Sequence, residues 1–194
     1  TPKPSSAASD VYKRQLRQCP YVVCCDGAAN TYIRSGRMPE AIVGDGDSLL
    51  PDIKERYASL IHSEAEQETN DLSKAFRFCL SQERRRITIM GATGKREDHT
   101  IGNVSLLADY MEQAEVSMMT DYGIFVPIRE DSMFESYIGQ QISVFNMNST
   151  ALSAEGLAYP LSVFTNWWQG TLNEALARHF IIRTEGKVLV FRVF

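Results

Sequence analysis

From residue 21 onward the chain alternates short apolar runs with longer stretches of helical period. The runs at residues 21–25, 42–43, 87–90 and 116–119 are too short for helices and give way to turn-forming or polar residues, so they read as buried strands. Between them, Leu72, Ala75, Phe76, Cys79 and Leu80 recur on one helical face, with Asn70 placed as the N-cap. Ile101, Val104, Leu107, Ala108 and Met111 trace a second helix. Strands alternating with helices predict a mostly parallel sheet with helices packed on it. After about residue 121 the pattern changes. Runs at residues 141–145, 180–182 and 188–194 are short, β-branched or aromatic, and separated by Gly, Asn and Ser, which predicts an all-β second half. Residues 1–18, rich in Pro, Ser, Ala and basic side chains, hold no sustained period and are expected to form a tail outside the fold.

With 44% hydrophobic and 23% charged residues in 194, composition excludes a disordered chain. The longest apolar run, residues 21–25, is far too short to span a bilayer. A formal net charge of -4 and a pI near 5.4 provide no global basic field, so a nucleic acid partner is not expected. Cys19, Cys24, Cys25 and Cys79 form no CxxC pair and have no accompanying histidine pairs, which argues against zinc and against a disulfide framework. Adjacent Cys24 and Cys25 read as small buried hydrophobes. No secretory leader pattern opens the sequence, and the expected compartment is the cytoplasm.

Four polar clusters sit where the predicted strands or loops meet helices: residues 26–30, 44–48, 67–71 and 91–98. In an open α/β sheet ligands bind at the carboxyl ends of the strands, and all four clusters are expected along that one edge. Asp45 and Asp47 are two residues apart, so on extended backbone their carboxylates point the same way and can share a hard cation. Taken alone, a Gly-Asp-Gly-Asp stretch is also an ordinary turn. Asp71 falls in a first helical turn, where a carboxylate serves the helix dipole, but Lys74 one turn later adds an ammonium suited to phosphate. The segment from Gly91 to His99 follows a strand and precedes a helix, the setting of a phosphate-cradling loop. Its spacing is not that of a Walker A motif. Arg96 and Asp98 would supply an anion clamp and a further metal ligand. Four carboxylates, Asp45, Asp47, Asp71 and Asp98, with Lys74 and Arg96 on one edge, repel one another unless cations join them. Magnesium with polyphosphate fits that donor set.

These residues resemble a known family, thiamine pyrophosphokinase, which moves a pyrophosphoryl group from ATP to the hydroxyethyl arm of thiamine and releases AMP. Asp26-Gly27-Ala28-Ala29-Asn30 resembles the family's Asp-Gly-Gly/Ala-x-Asn turn, and Gly44-Asp45-Gly46-Asp47-Ser48 its Gly-Asp-x-Asp-Ser metal motif. Residues 67–75 are similar to its Gln-Asp-x-Thr-Asp-x-x-Lys-Ala element, with Glu68 where Asp is usual and Asn70 where Thr is usual. Residues 91–103 are similar to its Gly-Ala-x-Gly-Gly-Arg-x-Asp-His-x-x-x-Asn element, with Lys95 in place of a glycine. Residues 156–161 resemble its Gly-Leu-Lys-Tyr-Pro-Leu turn, and Asn173-Glu174 its Ser-Asn-Glu, with Leu172 at the serine position. The strand and glycine turn with which the family opens have no counterpart in residues 1–18.

The resemblance implies a Rossmann-like α/β domain over residues 19–121 carrying ATP and Mg²⁺, and a β-sandwich over residues 122–194 carrying part of the thiamine site. It also implies a homodimer that assembles both. Asp45, Asp47, Asp71 and Asp98 would hold magnesium while Lys74 and Arg96 offset charge on the transferred group. Asp26, Asn30, Ser48, Gln67 and Asn70 would contact the nucleotide, as would Gly91, Gly94, His99 and Asn103 of the later loop. Thr171, Asn173 and Trp168 would meet thiamine; as strand neighbours, Trp167 and Trp168 should face opposite ways, so only one can line a pocket. One carboxylate, Asp98 foremost, would accept the thiamine hydroxyl proton. Two other readings stay open on the residues alone: another metal-dependent nucleotide-using transferase, and a non-catalytic thiamine- or nucleotide-binding protein.

Overall fold

A computed structural model describes residues 13–64, 66 and 68–194. Residues 13–18 are helical and largely exposed, so this part of the expected tail carries regular structure; its first twelve residues lie outside the described ones. The described chain divides into two compact units, Lys13–Arg85 and Arg86–Phe194.

In the first unit, strands β1 (Val23–Cys25), β2 (Ala41–Gly44) and β3 (Ile61–Ser63) form a parallel sheet in that order, with Cys24 opposite Ile42 and Ile42 opposite Ile61. Helices α1 (Ala28–Arg34), α2 (Pro51–Arg56) and α3 (Asp71–Ser81) complete it. Every position of β2 is buried, as a strand covered on both faces requires. Alternation then assigns the faces. Ile42 packs with Cys24, Ala29 of α1, Leu49 and Ile53 of α2, while Ala41 and Val43 pack with Ala75 of α3. The Asn70 side chain accepts a hydrogen bond from the Ser73 amide at 2.9 Å, so the expected cap of α3 is present.

The second unit opens with β4 (Arg86–Met90), α4 (Glu97–Ser105), α5 (Leu107–Tyr110) and β5 (Glu115–Met119), and β5 lies parallel to β4. The second predicted helix is thus broken at Leu106; Val104 and Leu107 are buried, but Ile101 is 58% exposed and does not join the core. After β5 the chain reverses at once into β6 (Gly123–Ile128), the Thr120 hydroxyl accepting from the amides of Tyr122 and Gly123. This tight turn changes the expected sheet. Through β6 the β4–β5 pair continues into antiparallel β12 (Val188–Val193), β8 (Gln141–Asn146) and β10 (Asn173–Glu174), giving one mixed sheet in the order β10-β8-β12-β6-β5-β4. The anticipated single parallel sheet of the first half is therefore two sheets, because chain connectivity hands β4 and β5 to the strands that follow them. Residue 121 falls in the turn between β5 and β6.

A second antiparallel sheet has the order β7 (Ser132–Glu135), β11 (His179–Thr184) and β9 (Leu152–Glu155). Ile142, Val144, Val188 and Val190 of the mixed sheet share one core with Phe134, Leu152, Phe180 and Ile182 of this sheet. Phe134 stacks on Phe180 with ring centroids 5.1 Å apart. Each such side chain, fully buried, contributes roughly 1.5–3 kcal/mol, so this core anchors the loops that project from the unit's edges.

Candidate active site

Three of the four polar clusters belong to the Lys13–Arg85 unit, where parallel strands place Asp26 after β1 and Asp45 and Asp47 after β2 on one edge. Asp26 is 4% exposed with φ of 22°, a strained value for a residue with a side chain. Its Oδ2 accepts from the Ser48 amide at 3.0 Å, and among the described residues its buried Oδ1 has no hydrogen-bond partner. An unpaired buried carboxylate oxygen is costly, so this one calls for a physical account. Asn30 holds the same loop with both ends of its amide: Nδ2 donates to the Ser48 carbonyl at 2.8 Å, and Oδ1 accepts from Leu50 at 3.0 Å. Asn30 thus builds the loop.

The loop between β2 and α2 alternates outward and inward, with Asp45 and Asp47 exposed and Gly46 buried between them. The Asp47 amide donates to Asp45 Oδ1 at 3.0 Å, which closes a local turn. Gly46 has φ of +75°, a conformation open to glycine, and a Cβ there would lie 3.3 Å from Lys54 Nζ. Lys54 on α2 reaches across to donate to the Gly46 carbonyl at 3.0 Å. Sequence reasoning missed Lys54, since nothing in residue spacing says which surface lysine turns back onto a loop. Ser48 is exposed beside this turn.

At the start of α3, Lys74 is 3% exposed and its Nζ lies 3.6 Å from Asp71 Oδ1, whose side chain is 42% exposed. Burial pushes the Cys25 thiol up to about 12, and the Asp71 and Asp26 charges add to the shift. The carboxylates of β1's turn and of the α3 start therefore act on the same buried thiol. Glu66 accepts from the amides of Glu68 and Thr69 and from Arg77, bracing the segment before α3. Gln67 lies outside the described residues.

The fourth cluster is in the other unit, at the carboxyl end of β4, so the four clusters do not share one sheet edge. Gly91 and Gly94 have φ of 70° and 88°, and Asn103 Nδ2 donates to the Ala92 carbonyl at 2.9 Å, tying the loop to α4. Arg96 and Asp98 grip each other in a fork, Nε to Oδ1 at 3.0 Å and Nη2 to Oδ2 at 2.5 Å, with both side chains exposed. Asp98 Oδ1 also accepts from the His99 amide at 2.9 Å. Arg96 and that amide hold the Asp98 carboxyl below the usual carboxylate range. Among the described residues no three His, Cys, Asp or Glu side chains form a ready-made cation cage.

The residues expected to meet thiamine surround a 3₁₀ turn, Trp167–Gly170, and not a strand. Asn166 and Gln169 cap this turn reciprocally, and Gly170 packs so closely on β8 that a Cβ would fall 1.8 Å from the Val144 carbonyl oxygen. Trp167 makes a T-shaped contact with Phe145 at 6.0 Å and stays 44% exposed, while Trp168 is 73% exposed. The Thr171 hydroxyl donates to the Trp168 carbonyl at 2.7 Å. Asn173 is 5% exposed, with Oδ1 accepting from the Tyr159 amide at 3.0 Å and Nδ2 donating to the Tyr159 carbonyl at 2.8 Å. These bonds join the turn after β9 to β10, as a buried amide must find partners. Between Thr171 and Asn173, Leu172 is 80% exposed with φ of 65°.

The description "Thiamin pyrophosphokinase, catalytic domain" matches residues 12–119, and "Thiamin pyrophosphokinase, substrate-binding domain" matches residues 123–191. The chain belongs to the thiamin pyrophosphokinase family. Thiamine pyrophosphokinase 1 of Oryza sativa subsp. japonica is 30% identical over a 129-residue alignment that covers 54% of this chain and 49% of the plant protein. Thiamine pyrophosphokinase of Bacillus subtilis (strain 168) is 34% identical over 86 residues, covering 42% of this chain and 40% of that one. The chain spans about half the length of the curated relatives it matches. The crystal structure of thiamine pyrophosphokinase from Bacillus subtilis has the same fold, with a TM-score of 0.78 at 21% identity over 89% of this chain and 87% of that one.

Proposed function

We propose that this protein is a thiamine diphosphokinase that transfers pyrophosphate from ATP to thiamine, giving thiamine diphosphate and AMP. The observation that carries the reading is the pair of exposed carboxylates, Asp45 and Asp47, at the carboxyl edge of a parallel sheet, on an all-oxygen loop beside the orphaned Asp26 oxygen. Such a donor set suits Mg²⁺, with Asp71 added from the α3 start. When bound, the ion would neutralise charge on the polyphosphate and fix its geometry. Asp98 is carried into the same set by the family motif it matches.

The remaining steps belong to the chain. Lys74, held beside Asp71, offers a buried ammonium to a phosphate oxygen, where low dielectric strengthens the attraction. Arg96 leaves Asp98 to clamp the transferred group. The thiamine hydroxyl oxygen attacks the β-phosphorus of ATP, the bond from that phosphorus to the α–β bridging oxygen breaks, and AMP leaves with that oxygen. The hydroxyl proton passes to a carboxylate. Arg96 makes Asp98 a weaker base than an unpaired aspartate while the fork holds, so Asp98 accepts that proton only after Arg96 has turned to the phosphate. Positioning and charge do most of the catalysis, as in phosphoryl transfer generally.

In this reading residues 19–121 are a Rossmann-like ATP domain and residues 122–194 a thiamine-binding β-sandwich, whose own strands share the core around Phe134 and Phe180. Trp168 gives thiamine its aromatic face, Thr171 lies beside it, and Asn173 holds the neighbouring backbone in place. The enzyme is a cytoplasmic homodimer. Incubation with ATP, Mg²⁺ and thiamine should release AMP only when all three are present. AMP release independent of thiamine would replace this reading with another transferase, and tight thiamine binding without AMP would replace it with a sensor.

A further inference from the structure

Among the groups around the acidic loop, Lys54 is the one whose placement neither motif nor capping explains. It stands on α2, a helix fixed by Pro51 at its first turn and by buried Ile53 in the core, so its base is rigid while its ammonium reaches back over the loop. That ammonium takes the Gly46 carbonyl at 3.0 Å, and among the described residues it forms no ion pair with Asp45 or Asp47. A lysine paired to either carboxylate would compete with a cation, whereas one bonded to the carbonyl between them steadies the loop without its ammonium occupying a carboxylate oxygen, and Asp45 Oδ1 already takes the Asp47 amide. It also brings one positive charge to the middle of two negative ones, which reduces their mutual repulsion before any cation arrives. The φ of +75° at Gly46 favours glycine, and a Cβ there would press Lys54 Nζ at 3.3 Å and Cε at 3.4 Å, so the ammonium would have to shift by a few tenths of an ångström.

We propose that Lys54 is a positioning residue for the Asp45 and Asp47 carboxylates, holding the Gly46 carbonyl so that the loop meets a divalent cation already in shape. The inference rests on the reading of this loop as a cation site. Its test uses Lys54→Met, which keeps the aliphatic stem, and Lys54→Arg, which restores a donor. Amide hydrogen exchange on the cation-free protein should quicken in residues 45–50 of Lys54→Met, with β2 and α2 unchanged, and Lys54→Arg should recover most of the protection. Titration with Mn²⁺, followed by its electron paramagnetic resonance signal, should give a dissociation constant about tenfold higher in Lys54→Met, the usual cost of losing a group that orients a metal ligand. Wild-type exchange and wild-type Mn²⁺ affinity in Lys54→Met would overturn the proposal. So would faster exchange spread over the whole Lys13–Arg85 unit without rescue by arginine, which would make Lys54 a plain stability residue. Loop-confined loss with weaker Mn²⁺ binding, in a protein that releases no AMP from ATP and thiamine, would sink the diphosphokinase reading and leave the Lys54 assignment standing.

Discussion

Asp45 and Asp47 stand exposed on either side of a buried glycine, and neutralising either should separate activity from folding. Asp45→Asn and Asp47→Asn are each expected to lower AMP release at limiting Mg²⁺ by at least about a hundredfold, since a direct ligand matters more than the groups around it. Their melting temperatures should stay level or rise slightly, because two neighbouring negative charges repel when no cation joins them. Near wild-type turnover in either variant would remove the metal assignment. Leu172 poses the opposite case, a residue that costs stability where it stands. Holding a leucine in the left-handed region costs about 1–2 kcal/mol, while a glycine there adds about 0.5–1 kcal/mol of chain entropy to be lost on folding. Relief exceeds entropy. With an 80% exposed side chain to lose, Leu172→Gly should raise the melting temperature by roughly 2–4 °C, and a drop in a calorimetric scan would show that Leu172 packs on something.

Among the elements, β1 carries Cys24 buried and Cys25 half-buried, and this has a pH signature. Burial raises both Cys24 and Cys25 from the ordinary 9.0 to about 12. A thiol that holds its proton more tightly in the folded state supports folding fully below its unfolded pKa. That support falls away as pH rises from about 9 toward 12, so denaturant titrations should show a loss of stability across this alkaline range and none from these groups at neutral pH. In the native protein near pH 8, a thiol alkylating reagent should reach exposed Cys19 and spare Cys24 and Cys25 until the protein unfolds. The 3₁₀ turn, Trp167–Gly170, is the other element with a sharp dependence on one atom. Gly170→Ala would drive a methyl into the Val144 carbonyl and lift the turn from β8. The expected cost is about 1–3 kcal/mol or more, with a shifted Trp168 fluorescence and a thiamine KM raised more than the ATP KM. Equal changes in both constants would dissociate this turn from the thiamine site.

For the whole molecule, the proposed chemistry is divided between the two domains, and the proposed dimer pairs one chain's first domain with the other chain's second. Asp45→Asn, in the first domain, and Trp168→Ala, in the second, should each be nearly inactive alone. A mixed dimer of the two would then contain one site with both defects and one with neither, so activity should reappear on mixing after mild dissociation. If each site were built within one chain, every site in the mixture would carry one defect and AMP release would stay absent. A tagged pull-down checks that subunits have exchanged.

Much of this protein is written locally and was legible in its sequence. The apolar run before Asp26 and the period from Leu72 to Leu80 announce a strand and a capped helix, because burial on a sheet or helix face demands those periods wherever the chain ends up. The acidic loop after β2 and the glycine loop after β4 are likewise local, since turn geometry and charge sit in consecutive residues. Tertiary structure alone decided what those residues touch. Backbone hydrogen bonds carry no side-chain code, so the tight reversal at Thr120 was free to draw β4 and β5 into the mixed sheet. Four-residue β7 and β9 lacked a pattern long enough to read in isolation. Polar side chains bond to whatever backbone folding brings near: Asn30 and Asn173 were taken up in holding loops, and Lys54 reached the Gly46 carbonyl from a neighbouring helix. Sequence determined which chemical groups each loop offers; the packed fold decided which of them remain free, because only there do buried polar atoms meet partners or, like Asp26 Oδ1, find none among the described residues.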